Sequence, residues 1–272
     1  MASKPLFTLQ IPNSPGTFVC TSLSDKVYLL TFTSPPDNRL LTPFLQTFLL
    51  ALDILEFSYP HGVVVTTSGI PKFYSNGLDL EHSSSTPNFF PNSLFALFKR
   101  LLTYPMPTVA LVNGHAFAGG FMVAMYHDYR IFNPSRGFVC LNELDLGVPL
   151  KPAMSSIFRQ KLSPQIYKTM VLEAKRFSAK EALEGGIVDA SGGMEELKNF
   201  IGQRKLSEKS KMGVYGLLKA EMFRETLGYL DMEGHEREEE RYNAYLEKED
   251  KRKEEEQKKV AEWEKSASKA KL

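Results

Sequence analysis

The chain reads as an α/β protein. Short β-branched or aromatic runs bounded by Gly, Pro, Asn or Asp alternate with longer segments whose apolar residues recur at helical spacing, and the pattern breaks off into a charge-dense stretch near Glu233. Strands are expected at Phe18–Ser22, Val27–Phe32, Val63–Thr67, Val109–Val112 and Tyr129–Phe132. A helix is expected over Pro43–Phe57, where Phe44, Phe48, Leu52 and Leu55 share one side and Pro43 after Thr42 makes a favourable start. Phe89–Leu102 follows the same rule with Phe90, Leu94, Leu97 and Leu101. Further helices are expected at Phe117–Tyr126, Ala153–Arg159, Pro164–Ala174 and Ala179–Glu184, the last stopped by Gly185-Gly186. No fixed-period repeat occurs, which excludes solenoids and propellers.

At 272 residues, with 33 basic and 32 acidic side chains, the chain is long enough to bury a large core without disulfides or structural metal. Near-zero net charge and the lack of a Lys/Arg cluster interleaved with aromatics argue against nucleic acid as a partner. No apolar run approaches the roughly 20 residues of a membrane span; the best, Pro43–Phe57, is broken by Gln46, Asp53 and Glu56. The N-terminus has no secretory pattern. Cys20 and Cys140 lie far apart without a CxxC pair or nearby His, which predicts a reducing compartment and no zinc or iron–sulfur site.

From Glu233 to Lys265, 22 of 33 residues are charged, 13 acidic and 9 basic, so this stretch cannot build a core. Pairs such as Glu247 with Lys251 and Glu255 with Lys259 predict a solvated helix. The last three residues, Ala270-Lys271-Leu272, follow the small-basic-Leu pattern of the peroxisomal address, so a peroxisomal location and the import receptor as partner are expected. The expected organisation is a core over 1–190, a helical region over 191–232 and a charged tail over 233–272.

Three segments carry chemistry. After the Val63–Thr67 strand comes Lys72-Phe73-Tyr74-Ser75-Asn76-Gly77-Leu78-Asp79, where Gly77 permits positive φ or a close ligand and leaves the Leu78 N–H free to point outward. Alone, Asn76-Gly77 is also the dipeptide of an ordinary turn. After Val109–Val112 comes Asn113-Gly114-His115-Ala116-Phe117-Ala118-Gly119-Gly120, which leads into an apolar helix. A glycine pair there puts unpaired N–H groups at the positive helix end, although close helix–strand packing also explains it. It is neither a phosphate loop, since Gly120 and Phe121 replace Lys and Ser/Thr, nor a dinucleotide fingerprint. The third segment, Cys140-Leu141-Asn142-Glu143-Leu144-Asp145-Leu146-Gly147, sets two carboxylates among apolar residues. Such a carboxylate has a raised pKa and suits proton transfer, while a lone Glu between leucines is otherwise a surface or cap residue.

In this order and spacing the three segments resemble the crotonase (enoyl-CoA hydratase/isomerase) superfamily, over approximately Val27–Asp189 and including Ala182-Leu183-Glu184-Gly185-Gly186-Ile187-Val188-Asp189. The stretch from Asn113 through His127-Asp128-Tyr129-Arg130 to Gly147 looks closest to Δ3,Δ2-enoyl-CoA isomerases of the plant peroxisomal kind. The resemblance implies a spiral of ββα units followed by a C-terminal helical region that mediates assembly into trimers or hexamers. It places the family's oxyanion-hole amides on Leu78 and Gly119 and its catalytic Glu on Glu143. The second glutamate of the family's hydratases falls on Met122, which favours a one-base double-bond shift over hydration. It also implies an acyl-CoA substrate, no separate cofactor, and CoA contacts along Tyr74, Ser75, Asn76 and Gly77; apolar Phe117, Met122, Leu144 and Leu146 are candidates for the acyl channel, and core packing explains them equally well. His115 and His127 read as polar packing residues and Asp79 as a helix cap. The competing readings are a hydratase, dehydratase or acyl-CoA hydrolase of the same superfamily, perhaps in secondary metabolism, and a non-enzymatic interaction protein that uses the charged tail.

Overall fold

The computed structural model describes residues 4–269; the Ala270–Leu272 triplet lies outside them. The chain divides into two units, Met1–Asp231 and Met232–Leu272.

In the first unit, β1 (Phe7–Gln10), β2 (Thr17–Ser24) and β3 (Val27–Thr33) form an antiparallel meander. Helix α1 (Thr42–Ser58) returns the chain so that β4 (Val63–Ser68) lies parallel to β3. The small strand β5 (Phe73–Ser75) follows, then α2 (Leu80–Ser85), a π-type turn at Phe90–Leu94, and α3 (Phe95–Thr103). β6 (Thr108–Val112), β7 (His115–Phe117), α4 (Gly119–Tyr126), β8 (Tyr129–Phe132), β9 (Val139–Cys140) and α5 (Glu143–Leu146) carry the chain through the chemistry-bearing segments. Helices α6 (Pro152–Lys161), α7 (Pro164–Leu172) and α8 (Ala179–Glu184), strand β10 (Ala190–Ser191), and helices α9 (Met194–Gln203), α10 (Tyr215–Met222) and α11 (Arg224–Leu227) complete the unit.

The strands form a seven-stranded sheet in the order β1-β2-β3-β4-β6-β8-β10 and a three-stranded sheet in the order β5-β7-β9. Every residue of β4 and β6 is buried, as expected for parallel strands covered on both faces. Helix α4 is buried along its whole length, which its sequence Gly-Gly-Phe-Met-Val-Ala-Met-Tyr permits because it is apolar all round. A cluster of Phe18, Phe32, Phe44, Phe48 and Tyr74 fills the space between the meander and α1, with ring centroids 5.0–6.5 Å apart.

Three sequence expectations need correction. Phe117 belongs to β7, and α4 begins only at Gly119, because Ala118 breaks the helix with φ 44°. The Phe89–Leu102 segment opens with a π-type turn instead of an α-helix. Residue 190 is not an edge of the unit: β10 pairs parallel with β8, and Leu197, Phe200 and Ile201 of α9 pack under Val63, Val65 and Val109 of the large sheet.

The second unit is one helix, α12 (Met232–Lys269). Among the described residues, the ion pairs along it include Arg237 and Arg241 with Glu238, Arg252 with Glu249 and Glu256, and Lys253 with Asp250, and not the expected Glu247 with Lys251 or Glu255 with Lys259. Arginine's planar fork lets Arg252 reach carboxylates in both the preceding and the following turn. No helix of the described residues is long and apolar enough to cross a membrane.

Candidate active site

The small sheet brings the three segments together. Phe73 and Ser75 of β5 lie beside His115 and Ala116 of β7, and Ala116 and Phe117 lie beside Val139 and Cys140 of β9. All three strands run parallel, so their C-terminal ends release Asn76-Gly77-Leu78, Ala118-Gly119-Gly120 and Asn142-Glu143 at one edge.

Close packing there depends on glycine. Gly77 has φ +85°, and a Cβ at that position would lie 2.8 Å from the Phe117 carbonyl and 3.3 Å from the Gly119 nitrogen. A Cβ on Gly120 would lie 2.4 Å from the Ser75 carbonyl. Among the described residues, neither the Leu78 nor the Gly119 N–H has a protein acceptor. Gly119 is the first residue of α4, where no intrahelical partner exists, and Ala118 before it is held at φ 44°, ψ −122°. Two free main-chain donors therefore lie side by side.

Leu78 and Gly119 both line a cavity of about 550 Å³, within the range of small-molecule sites. Leu80, Met122, Leu146, Val148 and Met154 make most of its wall apolar, and its charged lining residues are Arg39, Glu143 and Lys151, so among the described residues Glu143 supplies the wall's one carboxylate. Glu143 is 7% exposed, and its Oε2 is buried without a hydrogen-bond partner. Burial in this apolar wall disfavours the charged form and pushes the Glu143 carboxyl up from 4.5 to about 7. A group half-ionised near neutrality suits both taking and returning a proton.

The sequence-predicted residues divide by position. Leu78, Gly119, Glu143, Asn76, Met122 and Leu146 line the cavity. Tyr74 and Ser75 do not offer their side chains to it: both are buried, the Tyr74 hydroxyl bonded to Thr66 and the Ser75 hydroxyl donating to the Asn38 carbonyl. Gly77 stands behind the donors and spaces them. Phe117 packs instead with Phe73, His115 and Arg176. Leu144 is 58% exposed, because in the single turn of α5 only Glu143 and Leu146 share the cavity side while Leu144 and Asp145 face away. His127 is fully buried, its Nδ1 donating to the Val123 carbonyl and its Nε2 bonded to Thr66. Burial lowers its pKa to about 3 and keeps it neutral. The His115 Nδ1 accepts from the Phe138 N–H, and Asp79 caps α2 through the His82 N–H.

Four residues escaped the sequence reading. Asn38, at φ 54°, accepts from the Ser34 N–H and donates to Ser68 Oγ and the Tyr74 carbonyl, locking the β3–α1 loop onto β5. Asp37 and Arg39 hold the 76–78 backbone. Asn142 lines the cavity beside Glu143 with a buried, unpartnered Oδ1. The signal for the first three is the turn chemistry of Pro35-Pro36-Asp37-Asn38 immediately after a strand.

The sequence model of the family described as enoyl-CoA hydratase/isomerase matches residues 22–266. Enoyl-CoA delta isomerase 1, peroxisomal, of Arabidopsis thaliana is 30% identical over 213 residues, which cover 75% of this chain and 88% of that protein. Enoyl-CoA delta isomerase 3 of the same plant is 29% identical over 219 residues, 76% of this chain and 92% of the relative. Among solved structures, an enoyl-CoA hydratase/isomerase family protein from a Pseudomonas superposes with a TM-score of 0.65 at 26% identity, covering 77% of this chain and 91% of that one. With the crotonase-type spiral, the paired free amides and the buried glutamate all in place, the chain belongs to the enoyl-CoA hydratase/isomerase family.

Proposed function

We propose that the protein is a Δ3,Δ2-enoyl-CoA isomerase that converts 3-enoyl-CoA to 2-trans-enoyl-CoA. The observation that carries this reading is the solitary carboxylate in the cavity wall. Glu143 lines the same cavity as Leu78 and Gly119, and Met122, where the sequence resemblance puts the second glutamate of the family's hydratases, offers no carboxylate. Adding water requires a positioned water and a relay of protons. Shifting a double bond requires one base that serves twice.

In the proposed reaction the Leu78 and Gly119 N–H groups hold the thioester oxygen. The Glu143 carboxylate removes a proton from C2, and the electron pair left behind moves into the thioester to give a dienolate with its charge on that oxygen. The same carboxyl then returns the proton at C4, leaving the double bond between C2 and C3 and restoring the carboxylate. No separate cofactor takes part; coenzyme A enters as part of the substrate. The apolar wall keeps the basicity of Glu143 high. Purified protein supplied separately with 3-enoyl-CoA and 2-enoyl-CoA tests the reading: fast formation of 2-enoyl-CoA from the first supports it, and fast formation of 3-hydroxyacyl-CoA from the second overturns it in favour of a hydratase.

Fatty acid β-oxidation in the peroxisome is the setting that fits this chemistry, supported by the word peroxisomal in the names of two relatives and by the Ala270-Lys271-Leu272 triplet. Deleting the three residues is expected to leave turnover unchanged and abolish organelle import of a fluorescent fusion. Import without them would refute the address. Assembly into trimers or hexamers belongs to the same reading, supported by Leu217, Leu218 and Met222 of α10, which are 66–70% exposed.

A further inference from the structure

Arg39 lines the cavity and Asp37 anchors it; neither takes part in the reaction above, yet both are tied to the backbone that presents the Leu78 amide. The Asp37 carboxylate accepts from Arg39 Nε at 3.2 Å and from Asn76 Nδ2 at 2.6 Å, both on Oδ2. The Asp37 main-chain carbonyl accepts from the Asn76 N–H at 3.0 Å. From that anchor Arg39 Nη1 donates to the Leu78 carbonyl at 2.8 Å and to the Asn76 carbonyl at 3.4 Å.

Consider what would otherwise hold the Leu78 amide in place. It has no acceptor of its own, and the residue before it is a glycine at φ +85°, the residue type least restrained by its own sterics. The peptide that carries this N–H is fixed at its carbonyl, because Gly77 O accepts from the Leu40 N–H at 3.0 Å. That bond also polarises the peptide and makes its N–H a stronger donor. The peptide on the other side of Leu78 is fixed by Arg39.

We infer that Arg39 is a positioning residue of the oxyanion hole: with its Nε anchored on Asp37, its guanidinium clamps the Leu78 carbonyl so that the Leu78 N–H keeps facing the cavity. The inference rests on the reading of Leu78 and Gly119 as the holders of the thioester oxygen. Arginine is the residue type the task requires, because Nε and Nη1 are rigidly spaced in one plane and can serve two acceptors at once. A lysine keeps the charge but offers a single rotating ammonium. The clamp is therefore distinguishable from a cation that merely attracts the phosphates of coenzyme A.

The test uses the full-length protein and the variants Arg39→Lys, Arg39→Ala and Asp37→Asn, the last leaving Arg39 in place with a weakened anchor. Two quantities are read: the kcat and KM for 3-enoyl-CoA, and the infrared stretch of the thioester carbonyl in a bound saturated acyl-CoA, which moves to lower frequency when the hole grips the oxygen. Arg39→Lys is expected to lose roughly 10- to 100-fold in kcat, the cost of a misplacement of about 1 Å, with KM within a few-fold of wild type and the carbonyl stretch shifted back toward its value in water. Asp37→Asn is expected to move both readouts in the same direction by less. A lysine variant with full kcat and a carbonyl stretch equal to that of the wild-type complex, whether or not KM rises, overturns the inference. The carbonyl stretch is measured without turnover, so a protein that fails to isomerise 3-enoyl-CoA still tests Arg39. A wild-type complex whose carbonyl stretch matches that in water sinks the oxyanion reading and this inference together. Should Arg39→Ala not fold, the lysine and Asp37→Asn variants decide the matter.

Discussion

Glu143→Gln is expected to lower kcat for 3-enoyl-CoA by roughly a hundredfold to ten-thousandfold, the range attributed to a positioned acid–base group, while making the fold more stable. The two effects share one cause. Glu143 is buried with Oε2 unpartnered, and its carboxyl stands near 7 instead of 4.5 because burial disfavours the charge. A carboxyl whose folded pKa is raised binds its proton more tightly in the folded chain. Its favourable contribution is therefore complete below about 4.5 and is lost as the pH rises through about 7. Above that pH the fold carries a desolvated charge that costs on the order of 3 kcal/mol, and glutamine, neutral at every pH, removes it. Thermal melts should show a small difference between wild type and variant at pH 5 that widens to several degrees at pH 8. For the wild-type enzyme the same titration predicts that kcat/KM falls below about pH 7 as Glu143 takes up its proton. Equal melting differences at both pH values, or turnover that survives the substitution in a folded protein, would remove Glu143 from its role as base.

How much of this was legible beforehand depends on the length scale of the signal. The strands at 63–68 and 108–112 and the helix at 42–58 announce themselves because each repeats a pattern over enough residues to be read. The strands of the small sheet are only two or three residues long, too short to show a period, although they are what brings Leu78, Gly119 and Glu143 to one edge. From the sequence, Leu144 and Phe117 read as acyl-channel candidates because they are apolar neighbours of site residues. Adjacency in the chain does not decide which side of a turn a side chain takes: α5 turns Leu144 outward, and β7 sends Phe117 to join Phe73 and His115. Asp37 and Arg39 were missed for the opposite reason. Their partners lie 37–39 positions along the chain: the turn chemistry of Pro35-Pro36-Asp37-Asn38 marks a tight loop but not the distant backbone it clamps.

Gly77→Ala is expected to cost roughly a hundredfold to a thousandfold in kcat, comparable to removing one donor of an oxyanion hole outright. Two independent penalties converge on this residue. At φ +85° an L side chain is strained, a cost of order 1–3 kcal/mol. The new methyl would also meet the Phe117 carbonyl at 2.8 Å and the Gly119 nitrogen at 3.3 Å, and both contacts are main chain of the segment that carries the second donor. Neither is the end of a flexible side chain that can swing away, so relief must come from separating the 76–78 backbone from the Ala118–Gly119 turn, which pulls the two amides apart. Gly147 provides the control: it also has positive φ, at +67°, but a Cβ there meets nothing within 4 Å. If backbone strain alone mattered, Gly77→Ala and Gly147→Ala would lose stability and activity alike. If the spacing of the amides matters, both variants lose stability, and only Gly77→Ala suffers the collapse in kcat together with the loss of the thioester carbonyl shift. Equal kcat losses in the two folded variants would rule out close approach of the amides as the reason for glycine at 77.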